Sequence, residues 1–231
     1  SLKSNRTRNI FVVLAIVLTT FMISSVCSIG ASFAKNYSIM NIRLAQTTAT
    51  TILNNPKEEQ IKEIENLGIT ESIGSEITVG KVIDKQSDKN RANVFLKYYD
   101  KENWEKQITP AISNIKGQYP TKANEIMASE KALEMLNQKN AKLGDTIKIK
   151  YKDANGNILE KEFILSGTYK TYAFIEDTGF LVVSDKYIIN NDLSVSKNGF
   201  LTFALKNKEK DEAPDLLKSE VALSKDQEFI Y

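Results

Sequence analysis

Residues 10–34 read IFVVLAIVLTTFMISSVCSIGASFA, and these 25 residues contain no charged side chain. As an α-helix rising about 1.5 Å per residue, the segment would be roughly 37 Å long, which exceeds the bilayer's hydrocarbon core of about 30 Å. Runs of this length and composition are typical of transmembrane helices. The stretch therefore predicts one membrane span over residues 10–34.

The charges in front of the span predict its orientation. Residues 1–9 contain Lys3, Arg6 and Arg8 and no acidic side chain. Because positive flanks stay in the cytoplasm, residues 1–9 are predicted to be cytoplasmic. Residues 35–231 are then extracytoplasmic, and the protein belongs in the cell membrane with the lipid bilayer as a partner.

A cleavable signal peptide is the alternative to a retained anchor. Ser32-Phe33-Ala34 offers small residues at the two positions that a signal peptidase reads. The apolar run is long for the core of a signal peptide, which is about 7–15 residues, and this favours the anchor. The single cysteine, Cys27, follows Ser-Ser-Val, which is a poor lipoprotein signal, so we interpret it as a small apolar residue within the membrane.

Composition excludes several classes of function for residues 35–231. This part carries 28 basic and 29 acidic side chains, a net charge of −1, so it lacks the basic surface that nucleic-acid binding needs. The chain has no histidine and one cysteine, which excludes Ser-His-Asp or Cys-His catalysis, imidazole or thiolate zinc sites and an intrachain disulfide. It also lacks the P-loop pattern. We therefore predict no catalytic residue, no metal and no cofactor.

Residues 35–45 continue an imperfect helical spacing beyond the span. Ile39, Met40, Ile42 and Leu44 are apolar, with polar residues between them. The spacing predicts that the spanning helix projects from the membrane as a stalk. A short linker is the alternative.

Strand and helix signals occur in the same order near both ends of the remaining chain. The residues before position 54 are β-branched, and Asn55-Pro56 is typical of a helix start that Gly68 would end. The patterns predict strands at residues 46–53, 73–83, 199–205 and 228–231. They also predict a helix from residue 55 and another within residues 211–223 that starts around Pro214. Two β-α-β units at the two ends favour an α+β fold with helices packed on a sheet.

The section between these units is more irregular. It predicts strands at residues 93–98, 125–128, 145–151 and 160–169, a short amphipathic segment over residues 100–108, and a helix capped by Ser129. Asn155-Gly156 predicts a hairpin turn between the last two strands. Residues 153–157 also resemble the start of a calcium loop, but Ile158 stands where that loop requires glycine, so we favour the hairpin.

Several motifs in this order resemble the MacB/FtsX-like family of ABC transporter permeases. They follow the Arg-flanked span and are PKEEQIKEI at residues 56–64, YP at 119–120, ANEIMAS at 123–129, KLGDTI at 142–147 and FILSG at 163–167. The sequence is most similar to peptide-export or peptide-resistance permeases of Gram-positive bacteria. The resemblance covers nearly the whole chain, although its motifs describe strands, turns and a capped helix.

The resemblance implies a domain layout. Residues 1–9 would be cytoplasmic, 10–34 the first span, 35–45 the stalk, 46–83 with 196–231 a porter-like β-α-β subdomain, and 84–195 an inserted mixed α/β subdomain. Three further spans normally follow in this family, so we expect the chain to be a fragment of a four-span permease.

The resemblance also implies partners and a mechanism. A separate ABC ATPase subunit would bind the cytoplasmic face, hydrolyse the ATP and move the spanning helices, and a second permease copy or half would complete the transporter. The stalk would pass this motion to the extracytoplasmic domain, which would export or handle a peptide or lipid-linked cargo. The chain itself would not be an enzyme.

Six aromatic residues are candidates for contact with such a cargo: Tyr98, Tyr99, Trp104, Tyr169, Tyr172 and Phe174. Aromatic side chains that fill the core are the alternative interpretation. Two other classes of function also fit the sequence. These are a membrane-anchored extracytoplasmic sensor or binding module, and an anchored enzyme that uses a pair of carboxylates.

Overall fold

The computed structural model describes residues 6–83, 93–172 and 178–231. Contacts divide the chain into two compact units, Ser1–Asn41 and Ile42–Tyr231. We call the second of these the C-terminal unit. Lys3, one of the predicted topology residues, and Phe174, one of the candidate aromatics, lie outside the described residues.

The first helix, α1 (Arg6–Ala45), runs without a break through 40 residues. It is about 60 Å long at 1.5 Å per residue, and no residue between Arg6 and Ala45 is buried. Its most apolar 18-residue window has a mean hydropathy of 2.6, so the helix is long and apolar enough to cross a membrane. The predicted span and the four predicted stalk residues lie on this one helix, and Arg6 and Arg8 lie in its first turn. Their roles in topology and as a stalk stay predictions.

The described residues of the C-terminal unit form ten strands. These are β1 (Thr51–Asn54), β2 (Thr70–Val82), β3 (Asn93–Tyr99), β4 (Ser113–Gly117), β5 (Glu125–Ser129), β6 (Thr146–Asp153), β7 (Ile158–Lys170), β8 (Thr178–Val183), β9 (Gly199–Leu205) and β10 (Phe229–Ile230). The helices are α2 (Glu58–Asn66), α3 (Glu130–Met135), α4 (Asp185–Asn190), α5 (Val195–Asn198) and α6 (Ala213–Glu220). A π-helix (Asn103–Ile108) leads into a 3₁₀ turn (Thr109–Ala111). The predicted α+β class is confirmed.

The two predicted β-α-β units interlock. The strand order is β10-β1-β9-β2, and each neighbouring pair is antiparallel. Strand β9 therefore lies between the two parallel strands of the first unit, and β1 lies between those of the second, which is the split β-α-β arrangement. Alternate residues of the strands, such as Leu53 and Phe203, share one buried cluster with Ile64 of α2 and Leu217 of α6. Helices α2 and α6 thus cover the same face of these four strands.

The inserted part, between β2 and β9, extends the same sheet. Its order continues from β2 through β3, β8, β5 and β7 to β4, while β6 pairs with both β2 and β7. Strands β3 and β8 are parallel, as are β5 and β7. A second cluster packs α3 and α4 against this sheet, with Leu133, Tyr187 and Phe163 among its members. Because β2 belongs to both parts, the subdomain boundaries at residues 83/84 and 195/196 stay a prediction.

Two local predictions hold in detail. The Ser129 hydroxyl accepts a hydrogen bond of 3.1 Å from the backbone N–H of Ala132 and so caps α3. Strands β6 and β7 form the predicted hairpin, and Gly156 in its turn has φ +89°. The Asp153 carboxylate accepts hydrogen bonds from both the backbone N–H and the side-chain amide of Asn157, so it is engaged within the turn.

Other boundaries were predicted wrongly. The strand predicted over residues 46–53 begins only at Thr51, because Gln46 has φ +61° and residues 47–50 form bends and irregular backbone. Asn55 does not cap α2: it has φ +44°, and the N-cap is Lys57, whose backbone N–H donates to the Gln60 side chain. The amphipathic segment predicted over residues 100–108 contains a π-helix. The helix predicted within residues 211–223 starts at Ala213, next to the predicted start at Pro214, but it ends early, at Glu220.

Candidate functional site

The π-helix is held against the split β-α-β part by buried polar side chains. Thr202 of β9 is central: its hydroxyl accepts a hydrogen bond of 2.9 Å from the Asn103 side-chain amide and donates one of 2.7 Å to the Gln107 side-chain oxygen. The Gln107 amide donates to the Thr202 carbonyl at 3.0 Å and to the Ser72 hydroxyl at 3.2 Å. All four residues are buried, so each bond is shielded from water. We call these four side chains the junction network.

Asp100 fixes the chain where the π-helix begins. Its carboxylate accepts hydrogen bonds from the backbone N–H of Ser75 at 2.7 Å and from that of Asn103 at 2.8 Å. Burial raises the pKa of this carboxyl above its ordinary value, although the same two N–H groups oppose the shift. One carboxylate therefore joins β2 to the first residue of the π-helix.

Close backbone packing completes the junction. A Cβ atom placed on Gly74 would lie 2.6 Å from the Cβ of Asn103, which is too close for two carbon atoms. Glycine is required at this point of β2 for the π-helix to approach the sheet.

The segment between α1 and β1 is hydrogen-bonded to the same π-helix. The backbone N–H of Thr48 donates to the Gln107 carbonyl at 3.0 Å, and its hydroxyl donates to the Lys106 carbonyl at 3.0 Å. Two residues later, the backbone N–H of Thr50 bonds to the Phe203 carbonyl of β9. The exit from α1 is thus tied to the junction by three hydrogen bonds.

The last turn of α1 makes a further contact within the C-terminal unit. The Arg43 guanidinium carbon lies 4.4 Å from the centre of the Tyr172 ring, a cation–π distance. The Tyr172 hydroxyl is hydrogen-bonded to the Ser113 hydroxyl, next to the 3₁₀ turn that follows the π-helix. This contact provides a second link between the end of α1 and the inserted part.

The outward side of the π-helix forms one wall of a pocket of about 430 Å³. We call it the aromatic pocket, and its lining includes Tyr98, Tyr99, Trp104, Tyr119 and Pro120. The Trp104 and Tyr119 ring centres are 5.0 Å apart, and the Tyr119 hydroxyl donates a hydrogen bond of 2.6 Å to the Tyr99 carbonyl. Burial raises the pKa of the Tyr119 phenol, so it stays a neutral donor. The pocket can hold an apolar or aromatic group.

The structure separates the predicted aromatic residues into different roles. Tyr99 and Tyr169 are buried in a cluster with Met127 and fill the core. Tyr98 and Trp104 are half-buried and face the aromatic pocket, whereas Tyr172 lies under Arg43. Contact with a cargo stays a prediction for all six aromatic residues.

Sequence reasoning missed Tyr119 and the junction network. Tyr119 is part of the YP motif but carries no pattern that marks it as a pocket residue. Asn103, Gln107 and Thr202 are isolated polar residues whose partners are distant in sequence. Within the described residues there is no group of three or more His, Cys, Asp or Glu side chains that could hold a metal ion.

Three solved structures of transporter or permease domains are similar to this chain. The periplasmic region of MacB from Actinobacillus actinomycetemcomitans is 11% identical, with 81% of this chain and 91% of that one covered and a TM-score of 0.45. The extracellular domain of the noncanonic ABC-type transporter YknZ from Gram-positive bacteria is 12% identical, with 76% and 89% covered and a TM-score of 0.47. A permease-protein domain from Porphyromonas gingivalis is 9% identical, with 73% and 74% covered and a TM-score of 0.34.

No protein-family model matches the chain, and no curated protein matches it.

Proposed function

We propose that this chain is the first span and the extracytoplasmic domain of a permease subunit in an ABC transporter. In this proposal a separate ATPase on the cytoplasmic face moves α1, and the C-terminal unit converts that motion into handling of a peptide or lipid-linked cargo. The support comes from the sequence motifs and from the way in which the end of α1 is attached.

The observation that carries the proposal is that one six-residue π-helix makes three kinds of contact. The carbonyls of Lys106 and Gln107 accept the hydrogen bonds from Thr48, directly after α1. The side chains of Asn103 and Gln107 enter the junction network, and Trp104 lines the aromatic pocket. A displacement of Thr48 therefore reaches the sheet and the pocket through the same segment.

The π-helix is suited to passing on such a displacement because its backbone departs from regular α-helical geometry. Such segments are rare and are often found at functional sites. Each hydrogen bond at Thr48 contributes only about 0.5–1.5 kcal/mol net, so the link can shift without unfolding the unit. The junction network, which is fully buried, holds the other side of the π-helix to β9.

A proline within α1 tests the proposal. Met40 is 48% exposed on the helix, and Met40→Pro should cost about 3 kcal/mol and kink it. We expect the complete permease with its ATPase to assemble but to lose the response of the π-helix to ATP. The measurement is hydrogen exchange of the amides of Asn103–Ile108, with and without ATP, alongside the ATPase rate.

Met40→Ala is the matched control, because alanine removes the same side chain and favours the helix. It should keep the ATP-dependent change in exchange. If Met40→Pro also kept the full change, α1 would be only a tether. The anchored sensor or binding module would then be the better interpretation.

A further inference from the structure

A second cleft lies away from the aromatic pocket, between α3 and the strands β4 and β7. It has a volume of about 650 Å³ and shares no lining residue with that pocket. Five lysines line it: Lys116, Lys131, Lys139, Lys142 and Lys170. We call it the lysine cleft. Its size is within the range of small-molecule sites, about 300–1,000 Å³.

The charge of the lysine cleft differs from that of its surroundings. Glu130 and Glu134 are its acidic lining residues, so five lysines against two glutamates leave a net charge of +3. Residues 35–231 as a whole have a net charge of −1. A concave surface lined by one sign of charge concentrates the field and attracts ions of the opposite sign.

Most of these positive charges have no partner in the part of the chain that the structure describes. Lys116, Lys139 and Lys142 make no ion pair with any described residue, although lysines elsewhere do, such as Lys97 with Glu76. The Lys170 ammonium lies 5.5 Å from the centre of the Tyr172 ring. The Glu130 carboxylate already accepts a hydrogen bond of 2.7 Å from the Asn114 side-chain amide. The cleft thus holds three ammonium groups, those of Lys116, Lys139 and Lys142, that are open to an external anion.

The types of side chain indicate which anion fits. Lysine ammonium groups are compact charges on flexible stems and bind phosphate as point charges. The cleft is also lined by the hydroxyl-bearing residues Thr168 and Thr171, which supply short donors, and by Leu143, which is 49% exposed and offers an apolar contact. A net charge of +3 matches a group with two or three negative charges better than a single carboxylate.

We propose that the lysine cleft is a binding site for a phosphate-bearing ligand. The phosphate belongs either to a soluble molecule or to the headgroup of an anionic lipid, and both present the same chemistry to the lysines. This site is separate from the proposed coupling path through the π-helix and does not depend on it.

The test uses the full chain in micelles of an uncharged detergent, with inorganic pyrophosphate as the soluble probe. Calorimetric titration should show binding with a Kd below about 1 mM. The variant Lys116→Gln/Lys142→Gln/Lys170→Gln should weaken it by about tenfold or more, because charge-assisted hydrogen bonds are the strong class. The three side chains are exposed, so the variant should fold.

The matched control is Lys161→Gln/Lys208→Gln/Lys210→Gln, which removes the same charge from exposed positions that do not line the cleft. It should bind pyrophosphate about as tightly as the unmodified chain. Equal weakening in both variants would show attraction to net charge alone and would overturn the proposal.

Lysine acetylation read by mass spectrometry distinguishes the two sources of phosphate. Pyrophosphate, or phosphatidylglycerol mixed into the micelles, should slow acetylation of Lys116, Lys142 and Lys170 relative to Lys208. Phosphatidylcholine, whose headgroup has no net charge, serves as the lipid control. Protection by pyrophosphate alone assigns a soluble ligand, and protection by phosphatidylglycerol alone assigns a headgroup. Protection by neither overturns the site.

Discussion

Thr202→Val removes one buried hydroxyl and keeps the volume of the side chain. Thr202 is 4% exposed in β9, and its hydroxyl is the shared partner of the Asn103 and Gln107 side chains. We expect the variant to lose stability mainly because those two groups keep their burial and lose their partner.

The magnitude follows from the contacts. The variant leaves one N–H of the Asn103 amide and the Gln107 side-chain oxygen without this bond, and both residues are at most 1% exposed. A buried polar group left unsatisfied costs about 1–3 kcal/mol, so the two together cost about 2–6 kcal/mol. The Asn103 side-chain oxygen already has no partner among the described residues, and because it is an acceptor it cannot replace the donor that the Gln107 oxygen loses.

The assay is urea unfolding of the full chain in detergent micelles, followed by tryptophan fluorescence. Trp104 is the only tryptophan in the sequence and lies within the π-helix, so its emission reports directly on this junction. With a denaturant slope of about 1–3 kcal/mol/M, the midpoint should fall by about 1 M or more.

Thr202→Ser is the control that separates hydrogen bonding from packing. It keeps the hydroxyl and loses one methyl group, which should cost about 1 kcal/mol. If Thr202→Val were as stable as Thr202→Ser or more stable, packing and not the junction network would hold the π-helix, and our account of the junction would be wrong.

Three further expectations concern topology, pH dependence and packing. Protease added outside intact cells should digest residues 35–231 and leave residues 1–9 protected; digestion only after lysis would reverse the orientation. The backbone N–H of Thr121, with help from Lys122, lowers the pKa of the Glu125 carboxyl below its ordinary value of 4.5. The ionised Glu125 carboxylate therefore stabilises the folded state fully above pH 4.5, and this stabilisation is lost as the pH falls through the lowered pKa. The urea midpoint of Glu125→Gln should depend less on pH in that window than the midpoint of the unmodified chain. A Cβ on Gly179 would lie 2.6 Å from the Cα of Ala132, so Gly179→Ala should cost about 1–3 kcal/mol, and an unchanged melting temperature would show that α3 can move away from β8.

Local signals in the sequence predicted those elements whose geometry depends on neighbouring residues. Ser129 satisfies a backbone donor only three residues away, and Gly156 supplies a positive φ in its own turn. The two β-α-β units were likewise visible because each strand and helix has its own hydrophobic pattern. How the units interlock is determined by pairings between distant strands, which no local pattern records.

Long-range contacts explain the predictions that were wrong. The threonines at residues 47–51 favour a strand by propensity, but Thr48 bonds to Gln107 in the π-helix instead of a neighbouring strand. The π-helix itself lacks a sequence signature, because buried side chains such as Asn103 bonded to Thr202 help to hold it in place.

The candidate site was predictable only in part. Aromatic residues were singled out by type, and Tyr98, Tyr99 and Trp104 do meet in one pocket. Their exposure could not be read from the sequence, since neighbours such as Tyr98 and Tyr99 point to opposite faces of β3 and only one of the two is buried. The lysine cleft could not be predicted from the sequence for a similar reason. Its lysines come from separate elements, and nothing in the sequence distinguishes them from the other basic side chains among the 28 of residues 35–231.

The pairing of β1 has a consequence for how the protein is made. Within the described residues, β1 pairs with β9 and β10. Thr51 therefore needs Phe203 as its partner, and Ile52 needs Ile230, and both partners are synthesised much later than β1. Such non-local pairing slows folding, and here β1 cannot complete its pairing until residue 230 has been synthesised. If residues 35–231 are exported while they are being synthesised, β1 crosses the membrane before its partner strands exist. A chain cut before Phe229 would lack β10, which leaves one edge of β1 uncovered and prone to aggregation.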